Sequence, residues 1–345
     1  MIQELRTGGA ERILLSVYRG ARAAGHEVAV AAAPGVLADE LDATPYPVPI
    51  VGQRPWRVPA ASRAVRRAIR DWRPDVVHAY NPGMSLATGL VTGRGRRPPG
   101  LTSVQGVPEE DWRAAARVTR LSGLAPVACG PGVAAALEEH GCEPRATIPN
   151  AVGPAPPPAD RAELEREWGL APGTPLVLAV GRLVEQKNHV LAIRALASVP
   201  GAVLAIAGEG PLREELGREA AAVGVSDRVV LAGLRPDARA LMGAADAVVL
   251  SSRWEGLPLT ALEALGSGTP LVATSVRGLR ELVVDGREAL LVPEDPKSLA
   301  EALRRVLDDP ALGRRLAEAG RHVDGAGSED KMVARYLALY EDLAG

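Results

Sequence analysis

The sequence predicts an α/β fold of two doubly wound domains, and three observations predict it. Apolar runs of four to six residues recur along the chain, amphipathic helical stretches alternate with them, and a proline-rich segment divides the series in two. A run that is apolar on both faces must be covered on both sides, the condition of a parallel strand in a βα unit. At 345 residues the chain is too long for one ordinary core and right for about two domains.

The start is short. Residues 1–5 leave almost no length for a buried first strand before Gly8-Gly9, so either the natural start lies upstream or this edge of the sheet is incomplete. Strands are expected at residues 28–33, 75–79, 101–105 and 126–129. Residues 149–158, Pro-Asn-Ala-Val-Gly-Pro-Ala-Pro-Pro-Pro, lose amide donors and disfavour helix, which makes a stiff linker. The second series of strands is expected at 176–180, 203–207, 229–232, 247–250 and 270–273. Between Lys331 and Leu343, apolar Met332, Tyr336, Leu339, Tyr340 and Leu343 fall at helical spacing and predict a final helix that packs on something. The expected division is 1–150, 151–325 and a terminal segment 326–345. Ligands of such sheets bind beyond the carboxyl ends of the strands, and two such edges would face one cleft.

Composition narrows the function. Forty basic residues against 42 acidic ones give a net charge of −2, and neither half is basic enough for a nucleic-acid binder. No charge-free apolar run reaches the roughly 18–20 residues needed to span a bilayer, and no N-terminal segment reads as a signal peptide. Two cysteines, Cys129 and Cys142, lie in separate elements. They predict a reducing, cytoplasmic setting and buried apolar roles, with neither a disulfide framework nor a zinc site. The five histidines are too scattered for a local metal motif. Walker, nucleophile-elbow and dinucleotide fingerprints are absent, which withdraws support from nucleotide hydrolysis, serine hydrolysis and hydride transfer.

The most informative segment runs from Ser251 to Pro270, after the strand 247–250 and into a helix. Pro258 suits the first helical position, where no amide donor is needed. The amides around it, with the positive end of the helix dipole behind them, form an anion site suited to a diphosphate. Glu255 lies in the loop, where its carboxylate can accept from sugar hydroxyls, and Gly256 lets the backbone approach closely. Glu263, eight positions on, can accept from a ribose diol. A solvated glutamate followed by a capping acid is the competing reading. The second segment, Gly181-Arg182-Leu183-Val184-Glu185-Gln186-Lys187-Asn188, follows the strand 176–180. It carries one of only three lysines, and its guanidinium and ammonium together could neutralise a diphosphate. Surface solvation is the alternative there too. No Asp-x-Asp pair occurs, so a metal-bridged diphosphate lacks its acidic clamp, and a leaving diphosphate would be stabilised by Arg182, Lys187 and the helix N-terminus.

These segments, together with Gly8-Gly9-Ala10-Glu11-Arg12, Gly25-His26-Glu27-Val28, Pro74-Asp75-Val76-Val77-His78, Ile148-Pro149-Asn150-Ala151-Val152, Gly208-Glu209-Gly210-Pro211-Leu212 and Ala245-Asp246, stand in a familiar order. In that order, over nearly the whole chain, the sequence resembles a retaining glycosyltransferase of the GT-B fold, group 1 (family 4). The resemblance implies two Rossmann-like doubly wound domains facing a cleft. It implies metal-independent transfer, without a cofactor, of a hexosyl or N-acetylhexosaminyl group from a nucleotide diphosphate sugar, UDP-linked, to an acceptor hydroxyl. Glu255 and Glu263 match the family's glutamate pair, the first on donor-sugar hydroxyls and the second on the ribose. Arg182 and Lys187 match its diphosphate-binding cations. Gly8 and Gly9 match its N-terminal glycine loop, and Gly210 and the loop around Leu234-Arg235 lie where it holds the base. With Gly181, Gly256, Leu257 and Pro258 these complete the expected donor site. The catalytic set is Glu255, Arg182, Lys187 and Gln105. The terminal helix is expected to cross back onto the first domain.

Two departures from the family stand out. Gln105-Gly106 occupies the place of the family's usual histidine; glutamine donates a hydrogen bond but does not titrate. Retaining enzymes of this type are thought to use the leaving phosphate oxygen as the base, so the change need not abolish transfer, and whether it slows transfer stays open. The other departure is the clipped start.

His78 ends an apolar strand, where it either touches substrate or satisfies a backbone partner. Arg63, Arg66, Arg67 and Arg70 form one helical stripe, with Val65, Ile69 and Trp72 on another. Peripheral contact with the inner face of an anionic membrane and a solvated face over an apolar side both stay open. Two rivals to transfer remain: a nucleotide-sugar epimerase of the same fold, and a catalytically silent protein that binds nucleotide or a partner.

Overall fold

The structure is a computed structural model that describes residues 1–5, 8–52, 54–93, 95 and 98–345, with the backbone alone at position 55. It divides into two compact units: Met1–Asn150 with Glu329–Gly345, and Ala151–Ser328.

The first unit contains β1 (Ala31–Ala32), β2 (Tyr46–Pro47), β3 (Val77–Tyr80), β4 (Gly100–Val104), β5 (Ala125–Ala128) and β6 (Ala146–Thr147). All the pairings are parallel, β1 with β2 and β3-β4-β5-β6 in a sheet of four. Residues 1–5 close the gap between these two pieces. Ile2 N donates to Ala31 O (3.0 Å) and Ala33 N to Gln3 O (3.1 Å), while on the other side Tyr80 N donates to Met1 O (2.8 Å). The expected incomplete edge is therefore corrected: the short segment fills a central slot, with Ile2 and Leu5 fully buried. The order becomes β2-β1-(1–5)-β3-β4-β5-β6, that of a doubly wound sheet.

The terminal helix Glu329–Ala344 belongs to this unit. It buries Met332, Val333, Tyr336 and Leu339, and Val333 lies so close to Gly20 of the helix Gly9–Ala23 that a Cβ there would meet it at 2.2 Å. His78 is part of the same packing. One of its ring nitrogens hydrogen-bonds Tyr340 Oη (2.6 Å) and the other Ser103 Oγ (2.8 Å), and the ring stacks on Tyr80 at 4.1 Å. Ser103 Oγ in turn bonds Tyr336 Oη (2.9 Å). Burial pushes the His78 pKa well below its ordinary value, so the imidazole is neutral. His78 is a satisfied core histidine holding the terminal helix.

The second unit contains β7 (Leu176–Val180), β8 (Val203–Ala207), β9 (Val229–Gly233), β10 (Ala247–Leu250), β11 (Leu271–Thr274) and β12 (Leu290–Val292). They form one parallel sheet in the order β12-β11-β10-β7-β8-β9, again doubly wound. Val177, Ala179, Leu204 and Ile206 enter one apolar core, and Leu176, Leu178, Val203 and Ala205 enter another. Successive residues point to opposite faces, and both faces are covered, which is why these strands read as unbroken apolar runs.

Strands expected from the sequence occur within a few residues of their places, except that 28–33 contracts to β1, whose partner β2 is equally short. β2, β6 and β12 were not anticipated, because two or three residues carry no periodicity to read. β2 also contains Pro47, tolerated because β2 is paired on one side only.

Candidate functional site at the switch point of the second unit

β7 and β10 are neighbours in the sheet but not in sequence, so the chain leaves them in opposite directions and opens a crevice at their carboxyl ends. Both charged segments singled out above emerge there. Lys187 Nζ lies 2.5 Å from Glu255 Oε1, with the two side chains only 15% and 8% exposed. Ser252 Oγ donates to the same carboxylate oxygen (2.7 Å). So enclosed a pair neutralises itself, and removal of either partner leaves a charge without compensation.

The backbone ties the two loops together. Arg253 N donates to Gln186 O (2.9 Å), Gln186 Nε2 to Trp254 O (3.1 Å) and Ser251 Oγ to Lys187 O (3.0 Å). A third loop joins them from the end of β12: Glu294 Oε1 accepts from Asn188 Nδ2 (2.9 Å) and from Arg253 Nε (3.2 Å). Asn188 is left-handed at φ 46°, a conformation asparagine tolerates better than most residues, and it lets the chain turn from Lys187 into the helix His189–Leu196. Gln186, Asn188, Ser251, Ser252, Arg253 and Glu294 were not read as site residues. All but Glu294 stood within the quoted segments, whereas Glu294 lies in a loop no motif marked.

Gly181 takes φ 154°, a conformation L side chains rarely adopt, as the chain leaves β7. Arg182 is exposed, with its guanidinium 3.4 Å from Gln186 Oε1. The loop after β8 packs directly on this turn. A Cβ on Gly208 would lie 1.9 Å from Gly181 O, and one on Gly210 2.4 Å from Leu183 O. Leu183 N also donates to Glu209 O (3.0 Å) and Leu212 N to Leu183 O (3.1 Å). Gly210 thus has a packing reason of its own. Likewise a Cβ on Gly278 would lie 1.9 Å from Gly256 O, so the close approach expected at Gly256 is permitted by Gly278, which the sequence reading missed.

His189 lies beneath these turns. It is buried, the backbone of Gly181 and Arg182 runs alongside its ring, and neither ring nitrogen makes a well-formed hydrogen bond among the described residues. Burial, and then the charge of Lys187, lower its pKa to about 4.

One expectation about the helix is corrected. Pro258 is the N-cap of the helix Leu259–Ser267 (φ −73°, ψ 120°) and not its first residue. Its carbonyl accepts from Ala261 N (3.1 Å) and Leu262 N (3.3 Å), so the amides with no intrahelical carbonyl to reach are those of Leu259 and Thr260. Leu257, just before the cap, is buried.

Glu263, inside this helix, faces Arg239 with Nε 3.7 Å from its carboxylate. Arg239 also donates to Gly153 O (2.7 Å) and Pro154 O (2.9 Å), so the glutamate is linked to the linker backbone. Leu234, just past β9, is one of the exposed large apolar side chains. Its neighbour Arg235 is occupied by Asp237 (2.7 Å) and Glu167 (2.6 Å). The Asp237 hydrogen bond raises the arginine's pKa, and Arg235 holds the Asp237 carboxyl below its usual range.

Gly8, Gly9 and Gln105 belong to the first unit. Gly8 is the N-cap of the helix Gly9–Ala23, with the Glu11 carboxylate folded over it. Gln105 follows β4 and its Oε1 accepts from Asn150 Nδ2 (3.4 Å), while its Nε2 is buried without a hydrogen-bond partner among the described residues. Cys129 and Cys142 are buried and are not joined in a disulfide. Among the described residues, no three His, Cys, Asp or Glu side chains group as a metal site.

Comparison with known proteins follows this geometry. A family model described as "Glycosyl transferases group 1" matches residues 160–323, and one described as "Glycosyltransferase Family 4" matches residues 7–155. The lipopolysaccharide core biosynthesis glycosyltransferase LpsE of Rhizobium meliloti (strain 1021) is 36% identical over 182 residues, 52% of each chain. Glycogen synthase of Mycobacterium tuberculosis is 33% identical over 284 residues, 73% of this chain and 64% of that one. The chain spans about half the length of the first curated relatives it matches. Among solved structures, Anabaena Alr3699/HepE in complex with UDP-glucose superposes with a TM-score of 0.82 at 20% identity, covering 98% of this chain and 99% of that one. At that identity the likeness establishes the fold. With a family model on each unit and the GT-B fold shared over almost the full length, the chain belongs to the group 1 glycosyltransferases, family 4.

Proposed function

We propose that the chain is an enzyme that transfers a hexosyl or N-acetylhexosaminyl group from a UDP-sugar to an acceptor hydroxyl, with retention of configuration and without a metal ion. The observation that carries this reading is the Lys187–Glu255 pair at the switch point, flanked by Arg182 and the uncapped amides of Leu259 and Thr260. A diphosphate placed there would meet the Arg182 guanidinium and a helix N-terminus, and would share the Lys187 ammonium with Glu255, so preorganised positive potential opposes the charge that grows on a leaving UDP. Oε1 of Glu255 is taken by Lys187 and Ser252, which directs Oε2 to a sugar hydroxyl. Arg239 orients Glu263 for the ribose diol. Gly8, Gly9 and Gln105 lie in the first unit and carry none of this argument.

The relatives support the donor class. LpsE, an alpha-D-kanosaminyltransferase of Streptomyces kanamyceticus and glycogen synthase are all named as sugar-transfer enzymes, and HepE is described in complex with UDP and glucose.

The test is a panel of UDP-sugars, each incubated with and without hydroxyl acceptors, with released UDP and the product's anomeric configuration measured. Acceptor-dependent UDP release that survives chelator, giving a product of unchanged configuration, is the expected result. The reading fails if donor is isomerised without acceptor, if chelator stops turnover, or if the Arg182→Ala, Lys187→Ala double variant binds UDP as tightly as the parent.

A further inference from the structure

The helix Val58–Trp72 of the first unit carries charge that the site just described does not use. Residues 54–73 hold seven arginines and one aspartate, a net +6, which leaves the other 325 residues at −8. Its apolar side is already occupied: Ala61, Val65 and Ala68 are buried, and Val65 packs with Ala31, Val48 and Met84. Arg63, Arg66, Arg67 and Arg70 recur at the spacing of a single helical stripe, and all four are exposed on the face away from that core. Like charges three and four residues apart on a helix repel, so the stripe does not help the helix that carries it. Asp71 relieves two of them, lying 3.5 Å from Arg67 Nε and 3.4 Å from Arg70 Nε. Arg63 and Arg66 have no ion pair among the described residues.

One exposed aromatic precedes the stripe, and a second ends the helix on the side opposite the arginines. Trp56, in the short helical turn Pro55–Arg57 that leads into the helix, is 72% exposed, and Trp72, its last residue, is 40% exposed. The expectation that Trp72 packs with Val65 and Ile69 on the apolar side is corrected to that extent. Indole at the boundary between apolar and polar phases is a headgroup-layer anchor, and guanidinium forks match phosphodiester oxygens.

We propose that this face docks the protein on an anionic phospholipid bilayer, with the arginine stripe against headgroup phosphates and Trp56 entering the interface. The occupant is inferred from charge complementarity together with the indoles, since a purely polyanionic partner gives Trp56 nothing to enter. Two weak signals, a basic patch and an aromatic anchor, sum to reversible peripheral binding.

The experiment is cosedimentation of the full chain with vesicles of phosphatidylcholine alone and of phosphatidylcholine with about one third phosphatidylglycerol. Binding is expected to the anionic vesicles only, and to fall steeply as salt is raised toward 1 M. Each arginine near such a surface is worth about fivefold in partitioning, so Arg63→Gln, Arg66→Gln should bind roughly 25-fold more weakly. Trp56→Ala should weaken binding and remove the vesicle-induced blue shift of tryptophan fluorescence. UDP affinity and thermal midpoint should be unchanged in both variants, which separates this face from the switch-point site. The proposal is overturned if anionic vesicles do not bind the parent chain, if they bind the double arginine variant equally well, or if short RNA binds the stripe while vesicles do not.

Discussion

In the second unit, the loops beyond β7, β10 and β12 are laced to one another by charge and amide, through Lys187–Glu255, Asn188–Glu294 and Arg253 N–Gln186 O, and their polar atoms gather at the sheet's carboxyl edge. In the first unit the strand order is equivalent, yet the polar side chains of β3 and β4 do the opposite. His78 and Ser103 turn inward and fasten Tyr336 and Tyr340 of the terminal helix. One sheet gathers charged groups at its carboxyl edge, while the other ties its polar groups to the terminal helix. Shared topology therefore locates a crevice in each unit, but only the side chains around it tell whether it is equipped for an anion.

The strongest way to break this contrast is Glu255→Gln. The substitution keeps the shape but leaves Lys187 without its carboxylate, and it removes the charge of the group proposed to hold the donor sugar. Turnover of UDP-sugar, measured below the variant's own thermal midpoint, should fall roughly 100–1,000-fold, the cost of one preorganised electrostatic contact, and the midpoint should fall as well because the enclosed Lys187 ammonium loses its partner. An activity within threefold of the parent would remove Glu255 from the chemistry.

Acid sharpens the comparison, because both units bury a neutral histidine. His189 has a folded pKa of about 4 against an unfolded value near 6.5, so between these values the unfolded chain binds more protons. Its contribution is intact above about pH 6.5 and is lost as pH falls toward 4, amounting to roughly 3 kcal/mol in all. Burial depresses His78 in the same direction. Hydrogen exchange resolved by unit should then show His189→Asn flattening the pH 7 to 4.5 dependence of the β7 and β8 amides while that of β3 and β4 persists. Equal flattening in both units, or in neither, would refute the assignment.

Tyr340→Phe deletes the hydroxyl that bonds His78 and leaves a buried ring nitrogen without a partner. A loss of about 1–3 kcal/mol of stability is expected, with UDP affinity unaltered. A weakened UDP affinity would show that the first unit's polar cluster serves the donor site after all.

Legibility followed the same divide. β7, β8 and β10 were placed to the residue, because strands buried on both faces are unbroken apolar runs bounded by turns. Arg182, Lys187 and Glu255 could be singled out because they stand in loops directly after such runs, and the fold brings Lys187 and Glu255 together. What escaped depended on packing between distant segments. Residues 1–5 look too short for a strand until Ala31 and Tyr80 are seen on either side of them. Gly278 has meaning only against the carbonyl of Gly256, and Glu294 only once β12 stands two places from β10. His78 carried the same ambiguity at the end of its run, and one of its two hydrogen-bond partners, Tyr340, lies 262 residues away.

The finest test concerns the lacing itself. Glu294 holds Asn188 and Arg253, but its ion pair is largely solvent-exposed, with 46% of the Glu294 side chain and 40% of the Arg253 side chain accessible. Pairs of this kind contribute about 0–1 kcal/mol. Glu294→Gln keeps an acceptor for Asn188 and removes only the charge, so it should leave stability unchanged and raise KM for the donor no more than about twofold. Glu294→Ala also strands the Asn188 amide, and with it the turn that presents Lys187. If the hydrogen bond is what positions that turn, Ala should raise KM several-fold beyond Gln, and the difference should persist at high salt, where the ion pair is screened. Identical behaviour of the two variants would mean that the left-handed turn at Asn188 holds Lys187 in place without help from the third loop.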